Sequence, residues 1–370
     1  MIPINMPLVG EKEVEAVVKV LKSGILTSRA QSGSKVASLE AAFARFVKAK
    51  HAYAVNSGTA ALYLSLLASG VAYEDEVIVP SFTFVATAET VLLAGAKPIF
   101  VDIDPNTYNI DPKKIEKAIT EKTKTIVPVD LFGLPADMKP IREIAANHNL
   151  VVIEDAAQAH GAEYGGKPAG NFADLACWSF YASKNMTTGE GGMITTNSDE
   201  FAERIPYMRS HGEKDEYVST MIGGNFRMPE IEAAIGNVQL KKLPTFLKIR
   251  ERNAWRLSTK LREVEELQLP TVPRGYKHSW YLFTVRLEKG DETKRNEIVK
   301  ALRKLDIGAT VYYPVPIHLM PFYQRFCKHS LTNTEKAARQ VFSLPVHPAV
   351  TIENIDYITN SLRNVLLNHK

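Results

Sequence analysis

The strongest constraint on this chain is an alternation. Between His51 and Asp155, short apolar runs of strand length take turns with segments of helical spacing, at roughly 25-residue intervals. His51–Val55, Glu76–Pro80, Lys97–Asp102, Thr125–Val129 and Val151–Asp155 read as strands. Ala60–Ala68, Val85–Ala94, Asp111–Ile119 and Met138–His148 read as helices, the third opened by Asp111–Pro112. The pattern predicts an α/β fold built on a parallel sheet with helices on both faces. Sheets of that kind bind ligands beyond the C-terminal ends of their strands.

The stretch from Val151 to Met193 puts reactive groups at that edge. Val151-Val152-Ile153 ends in Glu154–Asp155, a buried strand that delivers a carboxylate at its C-terminal end. A second apolar run, Leu175 to Tyr181, leads to Ser183-Lys184-Asn185. Neighbouring strands would present a carboxylate and an amine side by side. Lys184 has two readings at this point: a solvated lysine at a strand end, or a working amine. The glycines of Thr188-Gly189-Glu190-Gly191-Gly192 favour the second, because they let backbone pack closely around it. Upstream, Asn56-Ser57-Gly58-Thr59 joins a strand to an Ala/Leu-rich helix. Ser57 or Thr59 could simply cap that helix, or the turn could leave N–H groups free for an anion. The turn matches neither GxxxxGK nor GxGxxG, which sets aside a Walker loop and a nicotinamide-dependent dehydrogenase.

Length and charge bound the rest. A chain of 370 residues exceeds what one hydrophobic core usually organises, so a large and a smaller domain are expected, with the division at residues 1–240 and 241–370. The formal net charge of +4 comes without a basic block, which argues against nucleic acid as the main partner and suits a phosphorylated substrate. Cys177 and Cys327 lie far apart, a pattern of reduced thiols with no zinc site. Neither a signal peptide nor a membrane span is visible, so a soluble cytoplasmic protein is expected. Helices are predicted at Glu11–Leu21, Ser34–Val47, from Glu200, and at Glu230–Leu240, whose small residues Ala233, Ala234 and Gly236 permit close packing, often between subunits. A charged connector helix runs from Lys241 to Val264. The second domain is expected to hold strands at Ser279–Leu287 and Ala309–Pro316, with helices at Lys294–Leu305, Thr334–Val341 and Asn354–Asn368.

Together the ligand edge offers Lys184, the Asp155 carboxylate, an anion seat at Gly58–Thr59, the Ser179 hydroxyl and the Phe84 ring. A lysine among apolar walls has a depressed pKa and becomes a nucleophile for a carbonyl. A phosphate seat near such a lysine, with a carboxylate for a pyridinium nitrogen, is what pyridoxal 5'-phosphate (PLP) requires.

Six segments carry a family resemblance: SGTAAL (57–62), PSFTF (80–84), EDAAQAHGA (154–162), SFYASKN (179–185), TGEGGM (188–193) and NFRMPEIEAAIGNVQL (225–240). In order and spacing they resemble the DegT/DnrJ/EryC1/StrS family of nucleotide-sugar aminotransferases, and the likeness covers essentially the whole chain. It implies the fold-type I architecture of PLP-dependent transferases: a large domain with a mainly parallel seven-stranded sheet, a smaller α+β C-terminal domain, and a homodimer with shared active sites. It implies an amino group moved from an amino acid, by family habit L-glutamate, to a keto-sugar on a nucleoside diphosphate, for amino-sugar or surface-polysaccharide synthesis. On this resemblance Lys184 carries the cofactor and shuttles the proton, Asp155 pairs with the pyridine nitrogen, and Gln158 lies near the ring hydroxyl. Gly58, Thr59 and Ser179 hold the phosphate, Phe84 stacks on the ring, and Asn225 reaches the phosphate from the neighbouring subunit. Tyr313 and His318 sit where the family contacts the sugar or closes the site. Two loops depart from the family pattern: Val129-Asp130-Leu131-Phe132-Gly133-Leu134, where V-H-x-Y-G-Q is usual, and Ser28-Arg29-Ala30-Gln31. The rivals are a PLP- or pyridoxamine-dependent sugar dehydratase, which replaces the lysine with histidine, and a non-catalytic regulatory protein on the same fold.

Overall fold

A computed structural model describes residues 1–27, 34–215 and 217–369, so the departing loop Ser28-Arg29-Ala30-Gln31 lies outside the described residues. Seven strands form the main sheet: β1 (His51–Val55), β2 (Glu76–Pro80), β3 (Lys97–Val101), β4 (Thr123–Ile126), β5 (Val151–Asp155), β6 (Leu175–Ser179) and β7 (Gly192–Thr196). Their spatial order is β1-β7-β6-β5-β4-β2-β3, with all pairs parallel except those of β7 with β1 and β6.

Both faces of the sheet are covered, and side-chain alternation assigns each residue to one of them. In β2, Val77 and Val79 join one core with the helices Gly58–Ala68 and Ala86–Leu93, whereas Ile78 joins the opposite core with Met138, Ile141 and Ala145 of the helix Met138–His148. A third cluster packs Leu39 and Phe43 of the helix Ser34–Val47 against Ala54 and Trp178. The helix Gly58–Ala68 is apolar nearly all round, and it is buried nearly all round.

The segments read as Glu230–Leu240 and Lys241–Val264 are one continuous helix, Glu230–Leu261, with Pro244 inside it. The expected boundary at 240/241 therefore falls within a helix. Ala233, Leu240 and Leu243 near its start join the core of the main sheet, while Ala254, Leu257 and Leu261 join a second core. That second core surrounds a three-stranded antiparallel sheet, Leu267–Gln268, Phe283–Leu287 and Val341–Leu344. The small-residue face of the long helix packs within the chain: a Cβ on Gly236 would lie 2.8 Å from Leu39 Cδ2.

Two further expectations need correction. Ala309–Pro316 is not a strand; Thr310 alone bridges Ser343, and prolines 314 and 316 withhold the N–H groups a longer ladder needs. The helix expected to reach Val341 stops at Gln340, and Val341–Leu344 instead pairs with Phe283–Leu287. Tertiary pairing overrides helical spacing there.

Candidate active site

The site lies where β1, β5 and β6 end and β7 begins. Asp155 stands opposite Cys177, and Gly192 opposite both Ser179 and Val55, which brings the ends of three parallel strands together. Gly192 is required by close approach: a Cβ on it would lie 2.4 Å from the carbonyl oxygen of Ser57. Of the glycines after Lys184, Gly192 seats the Ser57–Gly58 turn, Gly191 lies against Thr188, Met228 and Phe180, and nothing lies within 4 Å of a Cβ built on Gly189.

That turn satisfies both readings given to it. Ser57 caps the helix, its Oγ accepting from the Ala60 N–H at 3.0 Å and its carbonyl from the Ala61 N–H at 3.1 Å. The N–H groups of Gly58 and Thr59 are left without a partner among the described residues, at the positive end of the helix dipole. Gly58 rests against Ser179: a Cβ there would meet Ser179 Cβ at 2.8 Å. Ser179 Oγ accepts from the Tyr181 N–H at 3.3 Å.

Asp155 is buried at the end of β5. Its Oδ2 accepts from Thr87 Oγ1 at 2.9 Å and its Oδ1 from the Ala157 N–H at 3.3 Å. Burial raises its pKa, while the Thr87 and Ala157 hydrogen bonds and the nearby Lys184 pull it down. Lys184 is half-buried, and burial lowers its pKa to about 8 against the opposing pull of Asp155. Both groups are therefore displaced toward their neutral forms, so desolvation outweighs their mutual attraction. Lys184 Nζ makes no hydrogen bond or ion pair among the described residues; it lies over the Tyr281 ring face, 4.7 Å from the centroid.

Gln158 is buried, with Oε1 accepting from the Phe132 N–H at 2.7 Å and Nε2 donating to Tyr313 Oη at 3.3 Å. Phe84 is 55% exposed, with its ring 6.4 Å from that of Tyr313, so its face is open to a planar ligand. Tyr313 therefore joins the cluster. His318 does not join it. It is 2% exposed, its Nδ1 lies 2.7 Å from Ser81 Oγ, and its Nε2 lies 3.5 Å from Glu335 Oε1, so both ring nitrogens are partnered inside the fold. Asn225 is exposed, and its backbone carbonyl accepts from Asn56 Nδ2 at 3.4 Å.

Several participants carry no local signal in the sequence. Thr87, which holds Asp155, lies in a helix far upstream of it. Tyr281 and Ser279 meet the lysine loop across long chain separations, the Ser279 carbonyl accepting from Asn185 Nδ2 at 3.0 Å. Asp130, in the loop that departs from the family pattern, is buried beside Glu154. Its Oδ1 accepts from the Ala136 N–H at 2.9 Å, and Glu154 Oε1 accepts from the Gly170 N–H at 2.7 Å. Burial and then the Glu154 charge push Asp130 well above the usual carboxylate range.

This arrangement fits the phosphate, the ring nitrogen and the carbonyl of PLP. Two unpartnered N–H groups, one buried carboxylate and one unpaired amine share an edge, and Gly58 keeps the cradle beside Ser179 open.

Comparison with known proteins agrees with that chemistry. Residues 7–363 match the DegT/DnrJ/EryC1/StrS aminotransferase family. The chain is 41% identical to a GDP-perosamine synthase of Caulobacter vibrioides, over 90% of this chain and 91% of that protein. It is also 41% identical to a protein of Geobacillus stearothermophilus named a pleiotropic regulatory protein, over 94% and 93%. Among solved structures it resembles DesV of S. venezuelae with a TM-score of 0.90 and 36% identity, covering 95% of this chain and 93% of that one.

Proposed function

Because the chain belongs to the DegT/DnrJ/EryC1/StrS aminotransferase family, we propose that Lys184 is the amine through which its PLP-dependent chemistry runs. The enzyme is an aminotransferase that moves an amino group from an amino acid to a keto-sugar linked to a nucleoside diphosphate. The observation that carries the role of Lys184 is its Nζ: without a hydrogen bond or ion pair among the described residues, lowered to about pKa 8, and facing the edge that Asp155 closes. At that pKa a useful fraction is neutral near pH 7 to 8, which general acid–base work requires.

Bound PLP supplies an electron-accepting ring that stabilises the charge left when a proton leaves the carbon bearing nitrogen. The chain's own residues do the rest. Lys184 takes that proton and returns it. Asp155, anchored by Thr87 and Ala157, presents a carboxylate to hold a protonated ring nitrogen. The Gly58 and Thr59 N–H groups, with the Ser179 hydroxyl, hold the phosphate. Gln158 and Tyr313 border the ring, and Phe84 offers its open face to it. Asn225, exposed and with its side-chain amide unengaged among the described residues, serves the phosphate of a second copy, so the working unit is a homodimer. L-Glutamate is the donor. Two free thiols and the absence, among the described residues, of any helix long and apolar enough to cross a membrane support a cytoplasmic location.

The intact Lys184–Asp155 arrangement argues against the regulatory reading that the Geobacillus relative's name raises, and the lysine itself against a dehydratase. The test is a half-reaction. With PLP but no sugar, the protein should release about one equivalent of 2-oxoglutarate per site from L-glutamate; Lys184→Ala should release none. Equal release by both proteins would remove Lys184 from this role, and release by neither would remove glutamate.

A further inference from the structure

Ser279, Trp280 and Tyr281 cross over the lysine loop just before the strand Phe283–Leu287, and every one of them is tied down. The Ser279 carbonyl accepts from Asn185 Nδ2, and Ser279 Oγ donates to the carbonyls of Gln158 at 3.1 Å and Gly133 at 3.3 Å. The carbonyls of Trp280 and Tyr281 accept from Nη1 of the buried Arg250 at 2.9 and 3.2 Å. This crossing fixes the Tyr281 backbone from the long helix on one side and from the lysine loop on the other. The Tyr281 side chain is 5% exposed, its Oη lies 2.9 Å from Ser183 Oγ, and its ring face lies under Lys184 Nζ. The lysine backbone is fixed as well, by a turn in which the Lys184 N–H donates to the Tyr181 carbonyl at 2.9 Å.

We propose that Tyr281 is a positioning residue whose ring face holds the amine of Lys184 at the ligand edge whenever that amine is not engaged with the cofactor. A ring quadrupole attracts an ammonium at this range, and among the described residues no hydrogen-bond acceptor or ion-pair partner within reach fixes the half-buried amine. The role matters in a two-stage transfer, because the lysine is free between one half-reaction and the next and must stay where the proton is. The inference rests on the reading of Lys184 as the working amine. The titratable groups facing Lys184 are Asp155 from β5, His160 from the loop after it, and Tyr281 itself; His160 is buried, which keeps it neutral, with a pKa pushed down to about 3.

The test uses the cofactor-free protein. Competitive acetylation of Lys184 across pH, read by peptide mass spectrometry, gives the midpoint of its titration. Tyr281→Leu removes the ring face, and the midpoint should fall by about half a unit to one and a half units. Tyr281→Phe keeps the ring and should leave the midpoint where it is. An unchanged or raised midpoint in Tyr281→Leu overturns the proposal, since a filler of space would not lower it. Should Tyr281→Leu fail to fold, the wild type carries the same question: ¹³C-dimethylated Lys184, identified by its loss in Lys184→Arg, should show an upfield ring-current shift. An unshifted resonance overturns the proposal. Failure of the parent reading looks different: wild-type protein given PLP would then lack a visible cofactor band that depends on Lys184, whatever the ring does.

Discussion

Replacing Gly192 by alanine tests the phosphate seat through a residue that touches no ligand. The added Cβ would lie 2.4 Å from Ser57 O, 2.6 Å from Ser57 C and 2.8 Å from Gly58 N, all of them backbone atoms that cannot rotate away. To regain ordinary contact the Ser57–Gly58 turn must retreat by about 1 Å, because overpacked sites relieve themselves by backbone shifts that cost about 1–3 kcal/mol. A shift of that size takes at least one N–H of the seat off a phosphate oxygen. A hydrogen bond to a charged group contributes about 1.5–3 kcal/mol, so PLP affinity should fall about 10- to 150-fold. The assay is an equilibrium titration of cofactor-free protein with PLP and, separately, with pyridoxal, which lacks the phosphate. Wild-type protein should strongly prefer PLP, and Gly192→Ala should lose most of that preference while binding pyridoxal about as before. If the variant keeps the PLP-to-pyridoxal ratio within about twofold, the seat is not at Gly58–Thr59.

Four other perturbations separate roles in and around the site. Asp155→Ala leaves the phosphate seat and Lys184 in place, so it should still bind PLP while transamination falls by about 100-fold or more; because Asp155 is the influence that raises the Lys184 pKa, the titration of Lys184 should also move below its present value of about 8. The buried Asp130–Glu154 pair has both carboxyls raised by burial, so its stabilising contribution is complete below the unfolded carboxylate range of about pH 4 and is lost as pH climbs through the raised folded values; the denaturation midpoint should decline over that climb, and Asp130→Asn, which mimics the protonated acid, should flatten the decline. His318→Gln should cost about 1–3 kcal/mol of stability through its Ser81 and Glu335 contacts with the KM for the nucleotide sugar unchanged, whereas Tyr313→Phe, which removes the acceptor of Gln158 Nε2, should slow turnover with little loss of stability. A raised sugar KM in His318→Gln, without destabilisation, would put that histidine in contact with substrate after all.

The parts of this molecule that local physics dictates were readable in its chain. Val151–Asp155 and Met138–His148 occur with the predicted bounds because an apolar run ending in two acids, and a clean 3.6-residue period, each admit one solution. Glu230–Leu261 was divided because composition changes from small to charged residues near Leu240, but a change of solvent exposure along a helix is not a break in it. Ala309–Pro316 has strand-like residues, and whether it pairs depends on Val341–Leu344, which lies beyond an intervening helix. The carboxylate, amine and anion seat were legible because each sits at the end of an element whose direction the alternation fixes. Tyr281, Thr87 and Asp130 were not, since each acts on its partner across at least 24 positions of chain through packing that no local period records.

The central claim is that Lys184 is the amine that carries the cofactor. Borohydride reduction of the PLP-loaded protein, followed by proteolysis and peptide mass spectrometry, locates that amine directly. One modified peptide is expected, containing Lys184, at about one label per chain, with no label anywhere in Lys184→Ala. A label fixed to another lysine, or a wild-type protein that takes none, would contradict the account.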